Sequence, residues 1–161
     1  MIFILKSTGI KVVIESHHIK KMEMLIKTAG LNETGGIILG SYPDFTTAEV
    51  SEILGPPSDS RAGRYWFERG IKGLKSILNA AWNQNQYYLG EWHFHPNGTV
   101  EPSPQDFQQM KKISKSEKYY CPEPLMIIIA GNFQNYILGV YITDRKLNKT
   151  FQLAEYTEEV K

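Results

Sequence analysis

Residues 36–42 carry Ile37-Ile38-Leu39, three apolar residues in a row with no alternation of polar positions. A run this short is a strand rather than a helix, and its centre is buried on both faces. Such a strand needs cover above and below, so the rest of the chain has to supply layers. Helical spacing appears in three places. Ile19, Met22, Leu25, Ile26 and Ala29 recur at three- and four-residue steps, with Ser16 as an N-cap and Gly30 as a C-cap. Ile71, Leu74, Ile77, Leu78, Ala81 and Trp82 share one face of a second helix. A third starts at Ser103 and turns Phe107, Met110 and Ile113 inward.

Further strands are expected over residues 2–5, 11–15, 46–54 (closed by Gly55-Pro56-Pro57), 64–69 and 87–95. Residues 125–130 and 136–143 read as a hairpin about Gly131-Asn132, and 150–156 as a last edge strand. The order shows no regular βαβ alternation. The expectation is an α+β fold, a mixed β-sheet flanked by helices, in a single domain spanning 1–161 with a frayed tail at 157–161.

Charge and cysteine count narrow the function. Lys plus Arg total 18 and Asp plus Glu 17, a net charge of +1. That balance lacks the basic footprint of a nucleic-acid binder. One cysteine, Cys121, excludes an intrachain disulfide and a Cys-rich zinc site. Its setting, Cys-Pro-Glu-Pro, gives no sign of a paired base. The longest strongly apolar stretch, residues 125–130, is far too short to span a bilayer. The apolar start is cut by Lys6 and Ser7, too early for a secretory signal, so a cytoplasmic protein with no membrane partner is expected.

Chemistry concentrates between Glu91 and Asp106. His93 and His95 are two apart on a strand, so both imidazoles leave the same face. Two imidazoles and one carboxylate are a common donor set for a catalytic zinc, one per chain, with a position left for water. Asp106 can supply the carboxylate if the Pro- and Gly-containing loop folds back. Glu91, on the same strand face as the histidines, is a possible further polar group, and Glu101 reads as solvated. Ser103-Pro104-Gln105-Asp106 is also a helix start, with Ser as N-cap, Pro at N1 and Asp at N3. The two readings of Asp106 are compatible. His17 and His18 read as surface residues, and Trp66, Phe67, Trp82 and Trp92 as core.

His93-x-His95, seven residues, Ser103, two residues and Asp106 resemble the JAMM motif of the JAB/MPN metallopeptidases. That motif also needs an upstream glutamate followed by small residues and an apolar strand, and Glu33-Thr34-Gly35-Gly36-Ile37-Ile38-Leu39-Gly40 looks like it. The resemblance covers roughly residues 10–145. It implies His93, His95 and Asp106 as zinc ligands, Glu33 as the general base and Ser103 as the hydroxyl that meets the oxyanion. Phe94 stands where many members carry a small or polar residue, and its side chain should point away from the metal.

The blocks Arg61-Ala62-Gly63-Arg64-Tyr65-Trp66-Phe67-Glu68-Arg69 and Tyr88-Leu89-Gly90-Glu91-Trp92-His93 are similar to the small bacterial JAB peptidases of CBASS anti-phage operons. The resemblance implies cleavage of the amide between a conjugated protein's C-terminal tail and its target. The conjugated protein would be a cGAS-like nucleotidyltransferase or a ubiquitin-like protein, with an E1–E2-like conjugating enzyme as functional counterpart. Tail capture is expected at an available sheet edge, in a groove shaped by residues 96–102 and 111–119.

Rival readings fail on particular residues. His-Glu-x-x-His is absent, a deaminase needs a Cys-x-x-Cys pair, and a cupin needs a histidine after His95. A metal-free scaffold that only binds partners, and a zinc peptidase on free peptides, stay open as alternatives.

Overall fold

The computed structural model describes residues 1–157. The expected frayed tail lies outside the described residues except for Thr157, which is in no regular element. Ten strands and three helices run in the order β1 (Ile2–Leu5), β2 (Ile10–Val13), α1 (Ser16–Ala29), β3 (Thr34–Asp44), β4 (Thr47–Ile53), β5 (Arg61–Gly63), β6 (Trp66–Glu68), α2 (Leu74–Asn83), β7 (Tyr87–Pro96), α3 (Pro104–Lys115), β8 (Leu125–Asn132), β9 (Asn135–Asp144) and β10 (Lys149–Glu155). The mixed sheet flanked by helices is therefore present, but it is not open. Eight strands close into a barrel in the order β1-β10-β9-β8-β7-β3-β4-β2, while β5 and β6 form a separate two-stranded ribbon. β10 is not an edge strand, since it pairs with both β9 and β1.

Three strands carry the architecture because they are buried on both faces. Along β3, β7 and β8 the side chains alternate between two cores. Ile38, Trp92, Phe94, Ile127 and Ile129 enter the core that holds α1 through Ile19, Met22 and Ile26. Ile37, Leu39, Met126 and Ile128 enter the opposite core, with Leu74 and Ala81 of α2 and Met110 and Ile113 of α3. Phe94 therefore points away from the histidine face, as expected. β7 lies between antiparallel β3 and parallel β8, which fixes its register from both sides.

Several local expectations change. α1 has Glu15, not Ser16, at its N-cap, with no side-chain cap, while Gly30 does close it at φ 65°. His18 is buried rather than on the surface, because it borders the stripe of Ile19, Met22 and Ile26 that faces the sheet. α2 starts only at Leu74, after left-handed Gly73, which leaves Ile71 outside it and 61% exposed. Trp92 and Phe67 are buried, but Trp66 and Trp82 are not core residues, Trp82 being 59% exposed. The β8–β9 turn falls two residues later than Gly131-Asn132, at Phe133-Gln134, where Asn132 Oδ1 accepts from Gln134 N–H at 2.9 Å and Asn135 N–H at 3.0 Å. The expected strand 64–69 is instead half of a hairpin, turning at Arg64-Tyr65.

Gly36 shows why the segment before the buried strand is small. A Cβ there would stand 1.9 Å from Leu54 O and 2.9 Å from Gly55 O, both backbone atoms. Gly36→Ala is therefore expected to destabilise by about 1–3 kcal/mol. For a chain of this size that is a fall in Tm of roughly 2–12 °C by thermal melting. An unchanged Tm would show that β3 and β4 can part there without cost.

Candidate active site

β7 and α3 together bring the histidines to Asp106. His93 and His95 leave β7 on the α3 side, and the loop 97–103 returns the chain so that α3 starts beside them. The helix start is a capping box. Asp106 N–H donates to Ser103 Oγ at 3.1 Å and Ser103 N–H donates to Asp106 Oδ2 at 2.7 Å, with proline at the first turn. The cap orients the Asp106 carboxylate toward both rings. His93 Nδ1 lies 2.7 Å from Oδ1 and His95 Nε2 lies 3.4 Å from Oδ2. The capping reading of Ser103 and Asp106 is thus present, and it leaves the carboxylate facing both rings.

Glu33 arrives from the other neighbour of β7. Thr34 pairs with Phe94 and Gly35 with His93, so one step back along β3 sets Glu33 beside His95. Gly35 has to be small here. A Cβ on it would meet Trp92 O at 2.3 Å, the Phe67 ring at 2.9 Å and the His93 ring at 3.0 Å. Glu33 N–H donates to Gly63 O at 2.9 Å, which ties the β5–β6 hairpin to the same spot. Glu33, His93, His95, Ser103 and Asp106 all line one cleft of about 490 Å³. The hairpin forms one wall through Tyr65, Phe67 and Glu68. The loop after His95 forms another through Asn97, Gly98 and Glu101, but residues 111–119 do not line it, the α3 lining ending at Gln109.

The second nitrogen of each imidazole also has an acceptor. His95 Nδ1 is 2.9 Å from Thr99 O, and a carbonyl can only accept, so Nδ1 carries the proton and Nε2 faces Asp106. His93 Nε2 faces Glu91 Oε2 at 3.6 Å, and the Phe67 ring packs at a steep angle to the same imidazole, their centroids 5.8 Å apart. Glu91 is held by Arg69 Nε at 2.8 Å and by the Tyr88 hydroxyl at 3.0 Å. Arg69 is anchored in turn on Gly70 O and on the Tyr119 hydroxyl, each at 2.8 Å.

These contacts set the charges. Burial opposes ionisation of Asp106, but the two imidazoles and the Ser103 N–H outweigh it and hold the carboxyl well below the usual carboxylate range. Burial likewise works against a charged His93, yet Asp106 and Glu91 push it up to about 9. His95 is raised by Asp106 and the Thr99 carbonyl, again against burial. Burial, with Asp106 adding to it, raises Glu33 despite the two histidines.

The donor set suits a zinc ion. Carboxylates outnumber cations along the cleft, which Glu33, Glu68, Glu91, Glu101 and Asp106 line together with Arg64 and Arg69, and a bound dication would offset that excess. Two nitrogens and a carboxylate converge; the outer nitrogen of His95 is bonded to the Thr99 carbonyl and that of His93 faces Glu91 at 3.6 Å, close to the usual arrangement around metal-bound histidine. Among the described residues the three donors do not form a ready-made cage, because Asp106 rests directly against both rings.

Sequence reasoning missed Arg69, Tyr88, Tyr119 and the Thr99 carbonyl. Arg69 had a faint signal, as a cation next to a run that faces Glu91 only once the hairpin folds. Cys121 is buried, and burial pushes its thiol up to about 12, in keeping with an inert side chain.

Comparison with known proteins adds the following. The family of prokaryotic homologues of the JAB domain matches residues 15–139. The chain is 48% identical over 122 residues to a CD-NTase/cGAS isopeptidase of Enterobacter hormaechei subsp. hoffmannii, covering 75% of this chain and 68% of that protein. It is 32% identical to a CD-NTase/cGAS isopeptidase of Pseudomonas aeruginosa, over 65% of this chain and 66% of that one. A protein named probable metalloprotease from Sinorhizobium fredii is 27% identical, over 68% and 70% of the two chains. The solution structure of a Desulfitobacterium hafniense protein shares the fold, with a TM-score of 0.65 at 14% identity and coverage of 89% and 90%.

Proposed function

The chain belongs to the family of prokaryotic JAB-domain homologues, and from that premise we propose that it is a zinc-dependent isopeptidase. It hydrolyses the amide between the C-terminal tail of a conjugated protein and its target. The observation that carries this reading is the convergence of Glu33, His93, His95, Ser103 and Asp106 on one cleft walled by a short hairpin. Relatives named CD-NTase/cGAS isopeptidase favour a cGAS-like nucleotidyltransferase as the conjugated protein, with a ubiquitin-like protein as the other candidate. The setting is cytoplasmic anti-phage defence, opposite an E1–E2-like conjugating enzyme.

His93, His95 and Asp106 hold the metal. Zinc, when bound, supplies a Lewis acid that brings the pKa of water to about 7 and polarises the scissile carbonyl. Glu33, whose proton affinity burial has raised, takes a proton from the attacking water and passes it to the leaving amine. The Ser103 oxygen already accepts the Asp106 N–H, and its hydroxyl proton donates to the oxyanion that develops on the acyl carbonyl. Among the described residues the closed barrel offers no sheet edge to an extended tail. Capture falls instead to the β5–β6 hairpin, which lies on the cleft and is bonded to Glu33 through Gly63.

A fusion series tests this. One tail is joined through its terminal amide to several proteins and to a lysine side chain. Changes in the last tail residues are expected to lower kcat/KM by roughly 10–200-fold each, while changing the leaving amine alters it little. Rates that follow the amine and ignore the tail would replace deconjugation with a specific peptidase.

A further inference from the structure

Glu91 is the deepest carboxylate of the site, 1% exposed against 6% for Asp106. Buried ion pairs add little stability over apolar residues of the same shape, so the pair it makes with Arg69 calls for another reason. The two oxygens of Glu91 have different jobs. Oε1 accepts both Arg69 Nε and the Tyr88 hydroxyl. Oε2 takes neither and faces His93 Nε2 at 3.6 Å. Closing that gap to an ordinary N–H···O distance needs a shift of about half an ångström. Arg69 cannot drift, because Gly70 O and Tyr119 hold its other nitrogens. His95 has a hydrogen-bonded carbonyl partner in Thr99, and Glu91 is the acceptor that stands in the corresponding place behind His93, 3.6 Å away.

We infer that Glu91 is a positioning residue: in this structure His93 Nδ1 donates to Asp106 Oδ1 at 2.7 Å, and when zinc displaces that proton Glu91, fixed by Arg69 and Tyr88, holds the ring's other proton on Nε2 and so keeps Nδ1, beside Asp106, as the metal donor. The inference rests on the zinc reading of the site. Its physical basis is general, since a carboxylate behind a ligating imidazole selects the tautomer, aims the ring and raises its basicity.

The test is Glu91→Gln, which keeps size and shape while weakening the acceptor. Zinc affinity by chelator competition is expected to fall about 10–100-fold. Glu101→Gln, an exposed carboxylate at the cleft that touches neither histidine, controls for the loss of a nearby negative charge and is expected to change zinc affinity by less than about threefold. In the native zinc protein, nitrogen NMR of the His93 ring should show a proton on Nε2 that exchanges slowly with solvent. This measurement stands even if the variant does not fold. Zinc binding by Glu91→Gln as tight as native, a loss no larger than that of Glu101→Gln, or a His93 ring with its proton on Nδ1, would each overturn the inference. Native protein that takes up no zinc would overturn the metal reading, and the inference with it.

Discussion

Glu33→Ala is expected to keep its zinc and its fold and to lose about 10²–10⁴-fold in turnover, the usual effect of removing a positioned general base. The structure argues for this separation of effects. Glu33 precedes β3 and is held there by its backbone bond to Gly63, which the substitution leaves intact. Its carboxylate is half-buried and stands beside His95 and Asp106, where burial already disfavours its charge. Truncation therefore relieves a cost, and stability should change by less than about 0.5 kcal/mol. Glu33→Gln keeps the shape and removes only the basic oxygen, so it should fail equally. The measurements are steady-state cleavage, metal content and a thermal melt on the same preparations. Near-normal turnover in a metal-loaded Glu33→Ala protein would remove this residue from the mechanism.

His95→Ala and Asp106→Ala should both lose zinc, by more than the about 10–100-fold that an outer partner costs, but they should differ in stability. His95 makes one hydrogen bond, to the Thr99 carbonyl, and lies toward the mouth of the cleft. Its removal leaves the helix start untouched. Asp106 is the cap residue as well as the proposed metal donor, accepting the Ser103 N–H while facing two imidazoles. Losing it breaks one arm of the capping box, worth about 1 kcal/mol, and leaves buried His93 without the carboxylate that stabilises it. Asp106→Ala should therefore melt lower than His95→Ala in chelator, where metal plays no part. Equal melting temperatures would show that the cap contributes nothing, and a fully zinc-loaded His95→Ala protein would show that His95 is not a ligand.

How much of this was legible follows the range of each interaction. The histidine pair, the capping box and the glutamate ahead of a small-residue strand are local patterns, and each is present as spacing predicts. Their side chains meet because β7, β3 and α3 have the expected identities, even where boundaries move. The hairpin was hidden because its turn, Arg64-Tyr65, carries none of the usual turn residues on its two central positions. The Arg69–Glu91 pair spans 22 residues and depends on that hairpin, so no local pattern could announce it. His18 was misplaced for a different reason. A helix face is wider than its apolar stripe, and a histidine at the margin is carried inward by the packing of Ile19 and Met22. The exposed Trp82 is the converse case, an aromatic on the expected face of a helix that buries Leu74 and Ala81 and packs Leu78 partly against the core.

Barrel closure was the largest feature the pattern did not reveal, and it bears on the order in which the molecule assembles. Phe3 pairs with Glu155 and Ile4 with Ala154, so the seam joins nearly opposite ends of the described chain. Bringing such distant segments together carries a high loop-closure entropy, and contacts of this sequence separation form slowly. The strands that hold the site, β3, β7 and β8, can all pair before β10 exists on a growing chain. During that interval β1 keeps one unpaired edge, bonded only to β2 on its other side. An unsealed edge is where a nascent chain is most open to pairing with the wrong partner. The final strand, remote from the chemistry, is thus what takes the protein out of that vulnerable state.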